Sequence, residues 1–221
     1  MRGALVLAGG RSQRFKAAKP LAQLGGQPLV AHVLRIAVNV ADEVLVAIGR
    51  NDDREAFARI IPAGVRIVKD RGRRKSPLIG IVAGFQSMSC KYSLVLSCDT
   101  PFVNRAVLQY LFRASRGVDA LVPMWPNDDL EPLQAVYKVD SMLSAARLVL
   151  EQPSIRIRDV IRRLNKVRYL PVRSIERLDR HLITYFNVNT QEDLHLAQIY
   201  LADSRETSAK IERQLRAQHE S

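Results

Sequence analysis

The feature that most constrains the fold is an alternation. Short, almost wholly apolar runs take turns with longer segments of helical spacing. The runs "ALVLA" at 4–8, "EVLVAI" at 43–48, "VRIV" at 65–68, "YSLVLS" at 92–97 and "ALVPM" at 120–124 read as strands. Between them, 28–40, 53–61, 77–88 and 104–115 place apolar residues three and four apart, as a helix with one buried face requires. A strand that is apolar on both faces must be covered on both, which predicts a mostly parallel sheet between helix layers. Each crossover should be right-handed.

The rhythm changes after Pro123. "WPNDDLEP" is a polar, proline-flanked loop, and "LQAVYKV" at 133–139 then alternates like a strand. Helical patterns follow at 140–151 and 155–164, with extended pieces near 166–172 and 182–186. A helix from Thr190 to about 202 is announced by Thr190 as N-cap and Asp193 at the third helical position, a capping-box arrangement. The expected fold is therefore α/β: a single-domain, Rossmann-like three-layer sandwich over residues 1–202, its sheet mostly parallel with a late antiparallel strand. Residues 203–221 are charged, with a weak helical period in "AKIERQLRA". They are expected to form a C-terminal tail or helix that is mobile or docked on a partner.

At 221 residues the chain can bury a substantial core, and 47% hydrophobic with 25% charged residues is ordinary for a globular protein. No apolar run approaches the roughly 18 residues needed to span a bilayer. The short run after Arg2 stops at glycines and has no cleavage site of small residues, which predicts a cytoplasmic protein with no membrane association. Cys90 and Cys98 have no disulfide or zinc spacing and read as small buried side chains. The net charge of +12 fits a surface that attracts polyanions, nucleotides and phosphorylated substrates among them. No zinc-finger spacing or aromatic-basic ribonucleoprotein signature accompanies it, so nucleic acid is not the expected partner. The four histidines have no ligand spacing and are assigned no chemistry.

Ligands of open α/β sheets bind beyond the carboxyl ends of the strands. The first such loop, "GGRSQRFKAAK" at 9–19, joins two glycines to a cluster of cations. Gly9 and Gly10 let a backbone approach a ligand and offer N–H groups to phosphate oxygens, and Arg11, Arg14 and Lys19 add charge-assisted donors. The spacing is neither that of a P-loop nor that of a dinucleotide fingerprint. Asp99 stands just past the fourth strand ahead of Pro101, a position suited to a Mg²⁺ ligand or, failing that, to a turn residue.

"LAGGRSQRFKAAKPL" resembles the signature loop of the molybdenum cofactor (molybdopterin) guanylyltransferases, of the nucleotidyltransferase superfamily, which runs LAGGRSxRMG…DKxL. Three further stretches agree, in the family's order. "VKDRGRRKSPLIGIVAGF" is similar to D…GPLxGIxxGL, "LVLSCDTPFV" to xxxxCDxPF, and "NVNTQEDL" to NxNTPxDL. "DLEPLQAVY" resembles the PLxALY segment that helps wall the acceptor site. The coverage is about 4–196. Lys16, Ala18 and Ser76 depart from the pattern, standing where the family has glycine, an acid and glycine.

The resemblance implies a nucleotide-diphospho-sugar transferase-like fold and Mg²⁺-dependent transfer of GMP from GTP to molybdopterin-bound molybdenum cofactor, with release of pyrophosphate. It makes Arg14, Lys19 and Asp99 catalytic, with Asp99 the metal ligand. Leu7, Ala8, Gly9, Gly10, Arg11, Lys19, Asp70 and Asp99 would hold the nucleotide, Asp70 at its base or ribose side and Leu7 and Ala8 through backbone groups. A further base contact would fall near Arg50 or Asn51. Asn187 and Asn189 would support the acceptor or metal, although Asn189 before a helix is also an ordinary cap. Arg156, Arg158, Arg162 and Arg163 would either face a phosphorylated pterin or form the solvated side of a helix. Transient contact with molybdoenzymes or cofactor-handling proteins follows from the same likeness. The alternatives are a molybdopterin cytidylyltransferase, a nucleotidyltransferase acting on a sugar phosphate or phospholactate, or a non-catalytic nucleotide-binding carrier or regulator.

Overall fold

A computed structural model describes residues 1–9, 19–70, 72, 74 and 76–219. The apolar runs form the strands β1 (Arg2–Leu7), β4 (Glu43–Ile48), β5 (Arg66–Lys69), β6 (Tyr92–Ser97) and β7 (Ala120–Met124). Between β1 and β4 lie a two-residue hairpin, β2 (Gln23–Leu24) and β3 (Gln27–Pro28), and helix α1 (Leu29–Ala37). The chain continues through α2 (Arg54–Ala58), α3 (Pro77–Gln86), α4 (Arg105–Ala114), β8 (Gln134–Lys138), α5 (Val139–Leu150), α6 (Ile157–Ile161) and β9 (Val167–Pro171). It ends in α7 (Gln191–Ala202) and α8 (Ser204–His219). The main sheet has seven strands in the order β5-β4-β1-β6-β8-β7-β9, and β8 runs antiparallel to both neighbours.

Period-two alternation divides the central strands between two cores. Ala4, Val6 and Ala8 join α1, α4, α7 and α8 on one face, whereas Leu5 and Leu7 join α3, α5 and α6 on the other. The expected three-layer, mostly parallel sandwich with a late antiparallel strand is the observed architecture. Among the described residues no helix is long and apolar enough to cross a membrane.

Two local expectations are corrected. The stretch 182–186 is not extended: Ile183–Tyr185 is a 3₁₀ turn. Leu182 enters it at φ 53°, and the Asp179 carboxylate accepts the N–H groups of Ile183 (3.2 Å) and Thr184 (2.8 Å), which curls the backbone inward. The C-terminal segment is not a free tail either. Ile211 and Leu215, four residues apart in α8, are buried in the core shared with α7. Two apolar positions among many charges make a weak periodic signal but a sufficient anchor. The hairpin β2–β3 was unforeseen, although Gly25 (φ 56°) and Gly26 (φ 77°) supply the left-handed pair such a turn requires.

Candidate active site

Three strands of the parallel half of the sheet, β5, β1 and β6, each hand the site one residue from their carboxyl ends, with β4 between β5 and β1. Gly9 follows β1, Asp70 follows β5 and Asp99 follows β6; together with Leu7, Lys19 and Leu133 they line a cavity of about 840 Å³. Gly9 must be glycine for a spatial reason. A Cβ there would stand 2.7 Å from the backbone nitrogen of Gly49, at the end of β4.

The centre of the site is an ion pair. Lys19, in the 3₁₀ turn Lys19–Leu21, places Nζ 2.5 Å from Oδ2 of Asp99 and 2.8 Å from Oδ1 of Asn189. Asp99 and Lys19 are both largely buried, so water screens their attraction little. The second Asp99 oxygen, Oδ1, is buried without a hydrogen-bond partner among the described residues. A buried carboxylate oxygen left unpaired is costly, and a cation removes the cost. A hard dication held by one carboxylate together with phosphates and water fits this donor set.

Asn189 is fixed by the cap of α7. Asp193 Oδ2 accepts the N–H groups of Asn189 and Thr190, both at 2.9 Å, and Thr190 Oγ1 accepts from Asp193 N at 3.1 Å. Thus Asn189 both precedes a helix cap and touches Lys19. The Asn187 amide donates instead to the Tyr185 carbonyl at 3.0 Å. Ala8 has no free N–H for a ligand, because that group donates to the Ala47 carbonyl at 2.8 Å. Leu7 lines the cavity, while its carbonyl accepts from Cys98 N at 3.0 Å. Gly10, Arg11 and Arg14 lie outside the described residues.

At the far end, burial raises the Asp70 carboxyl above its ordinary range, the Arg50 backbone N–H opposes that rise, and nearby Asp52 adds to it. Arg50, Asn51 and Asp52 line this end of the cavity, and Asp52 accepts from Gly49 N at 2.7 Å. Asp52 was missed at the sequence level; its only signal is its place in "GRNDD" after β4. Arg74 is tied to the carbonyls of Leu150 (3.0 Å) and Gln152 (2.6 Å), clamping the mouth to the end of α5. Cys98 adjoins Asp99, but burial and that negative charge push its thiol up, so no thiolate is available. Of the arginines of 156–163, Arg158 pairs with Asp129 at 2.9 Å and Arg162 lies 3.6 Å from Asp159, and neither lines the cavity.

Residues 4–167 match the family model described as the MobA-like NTP transferase domain. The chain belongs to that family. Its members are nucleotidyltransferases, and so is this protein. A probable molybdenum cofactor guanylyltransferase of Methanosarcina acetivorans is 30% identical over 205 residues, covering 87% of this chain and 88% of that protein. A protein of the same description from Thermococcus gammatolerans is 32% identical over 198 residues, covering 86% and 95%. Among solved structures, molybdopterin-guanine dinucleotide biosynthesis protein A from Archaeoglobus fulgidus superposes with a TM-score of 0.74 at 27% identity, covering 91% of this chain and 99% of that one. A 4-diphosphocytidyl-2C-methyl-D-erythritol synthase from Anaerococcus prevotii shares the fold, with a TM-score of 0.71 at 15% identity over 91% and 96% of the two chains.

Proposed function

We propose that this MobA-like transferase moves GMP from GTP to the terminal phosphate of a molybdopterin-type cofactor, with Mg²⁺, in the cytoplasm where the triphosphate is supplied. The observation that carries the reading is the buried Lys19–Asp99 pair with its orphaned carboxylate oxygen, set in the cavity at the carboxyl ends of the parallel strands. The choice of guanine and of acceptor draws support from the names of the relatives.

The reaction forms one bond and breaks one. An acceptor phosphate oxygen attacks the α-phosphorus, the bond from that phosphorus to the bridging oxygen of the β-phosphate breaks, and pyrophosphate leaves with the electron pair. A phosphate monoester is already ionised near neutral pH, so no side-chain base is needed. What remains is positioning and stabilisation of charge. Lys19 would offer its cation to the phosphates, with Asn189 and Asp99 fixing where Nζ lies. Asp99 Oδ1 would hold Mg²⁺, which when bound neutralises charge on the phosphate oxygens. Gly9 lets the chain pass close beneath the nucleotide, and Asp70 and Asp52 offer acceptors at the base or ribose end. The 129–137 segment, through Leu133, walls the acceptor side.

The test is pyrophosphate release with Mg²⁺, a molybdopterin-type acceptor and GTP, CTP, ATP or UTP in turn. Release with GTP alone is the expected result. Release with CTP moves the protein to the cytidylyl activity, and no release with any of the four overturns the reading.

A further inference from the structure

Helix α8 lies beyond the stretch that matches the family model, yet two chains of contacts run from it into the site. The first starts at Gln214, whose Nε2 donates to Asp193 Oδ1 at 3.2 Å. The other oxygen of Asp193 holds the backbone of Asn189, whose amide oxygen holds Lys19, which holds Asp99. The second starts at His219, in the last turn. Its ring stacks on Trp125 with centroids 4.3 Å apart and planes 10° from parallel, and its Nδ1 lies 3.3 Å from Asp129 Oδ2. Trp125 Nε1 in turn donates to Glu131 at 2.7 Å, two residues before Leu133 in the cavity wall.

The helix is held firmly enough to act as a reference. Its buried Ile211 and Leu215 are flanked by the Arg216–Glu176 pair at 3.1 Å and the His181–Glu212 contact at 2.6 Å. Lys19 and Leu133 both line the cavity, so one helix reaches the site through two separate contacts.

We propose that α8 is a positioning element of the transferase, with Gln214 acting on the nucleotide side through Asn189 and His219 acting on the acceptor side through Trp125. Neither residue touches a substrate. Coupling carried through such contiguous contacts changes an affinity or a rate by about two- to thirtyfold. The two residues should therefore divide the kinetic effects between them. Gln214→Ala weakens GTP binding and lowers kcat by about that factor while leaving the acceptor KM unchanged. His219→Ala raises the acceptor KM by a similar factor and leaves GTP affinity unchanged. His219→Phe keeps the stacked ring and restores the acceptor KM.

Trp125 is the chain's single tryptophan, so fluorescence reads the second contact directly. His219→Ala should make its emission more accessible to iodide quenching, and His219→Phe should reverse that. The kinetic arm rests on the proposed guanylyl transfer, whereas GTP calorimetry and fluorescence do not require turnover. Wild-type protein that binds GTP with Mg²⁺ but releases no pyrophosphate therefore sinks the reaction and leaves α8 to be judged on GTP affinity and quenching alone. Equal loss of both substrates in both variants, tracking a loss of thermal stability, overturns the positioning role. So do wild-type constants in Gln214→Ala and His219→Ala, and so does a wild-type chain that binds no GTP.

Discussion

The sheet divides at β6 into two regions built by different rules. On the nucleotide side, β5, β4, β1 and β6 are parallel, and each delivers its site residue within a position or two of its last hydrogen-bonded residue: Gly9, Gly49, Asp70 and Asp99. Beyond those strand ends the site is assembled from distant pieces. Asn189 reaches Lys19 across 170 positions, and Trp125 is closed over by a histidine at the other end of the chain. Strand-end geometry makes the first side a local property of sequence. Tertiary packing makes the second side cooperative, so a change there should act through neighbours rather than by deleting one group.

The sharpest test of the local side is Asp99→Asn. The backbone carbonyl of Asp99 anchors Val188 N at 2.8 Å and is untouched by the change, so the fold should persist. Loss of the charge removes both the partner of Lys19 and the expected metal ligand. Turnover should fall by about 10²–10³, the scale on which removal of one preorganised electrostatic group is felt. Circular dichroism should be unchanged. Retention of near-normal Mg²⁺-dependent turnover would break the assignment.

The acceptor side is expected to show its cooperativity in pH. Burial pushes the Glu131 carboxyl up to about 7, with the Trp125 N–H opposing the rise and the charges of Asp129 and Asp99 adding to it. An acid whose folded pKa is raised binds its proton more tightly in the folded state. Stability from this group is thus full below its ordinary value of 4.5, declines as pH rises toward 7, and is level above that. The decline is at most ~3 kcal/mol. The difference in melting temperature between wild type and Glu131→Gln, followed from pH 4.5 to 8, isolates it from other carboxylates. A difference that does not vary with pH would show that Glu131 titrates as an exposed acid does.

Packing between β1 and α3 gives a smaller effect, on the nucleotide side. A Cβ at Gly84 would come 2.4 Å from Leu5 Cδ1 and 2.5 Å from Cδ2, and Leu5 is fully buried. Overpacking a closed core costs about 1–3 kcal/mol, against about 1 kcal/mol gained when alanine replaces glycine in a helix. Crowding wins, and Gly84→Ala should lower stability by ~1 kcal/mol in urea unfolding. An increase would mean that Leu5 has room to turn.

The same division explains what could be read in advance. The parallel strands, their helices, the strand-end position of Asp99 and the Thr190–Asp193 cap were legible because apolar period and capping chemistry are short-range signals. The seating of α8 was not, because Ile211 and Leu215 are its only large apolar residues and two positions are too few to read as a buried face. Nor was the contact of Asn189 with Lys19: both asparagines stand in "NVN", and nothing in that triplet says which one reaches a residue 170 positions away. Glu131 gave no sign of its burial, since a charged residue between prolines reads as loop surface.

Ser76 sits on the seam between the two regions and departs from the family's glycine. It is the N-cap of α3, its Oγ accepting from Leu78 N at 3.2 Å while donating to the Ile155 carbonyl at 2.8 Å. The hydroxyl thus joins the loop below Asp70 to the turn before α6, beside the Arg74 clamp. Replacing a serine cap by alanine costs typically ~1 kcal/mol, and by glycine only a few tenths. If the cap alone matters, Ser76→Gly should be nearly silent and Ser76→Ala should lose ~1 kcal/mol in urea unfolding. If the bridge to Ile155 matters as well, both variants lose it, and glycine should fall toward alanine. The hydroxyl then ties the nucleotide loop to the later half of the chain, and GTP affinity should drop in both variants together. Equal GTP affinity in wild type, Ser76→Ala and Ser76→Gly would confine the serine to capping and leave the two regions joined through the core alone.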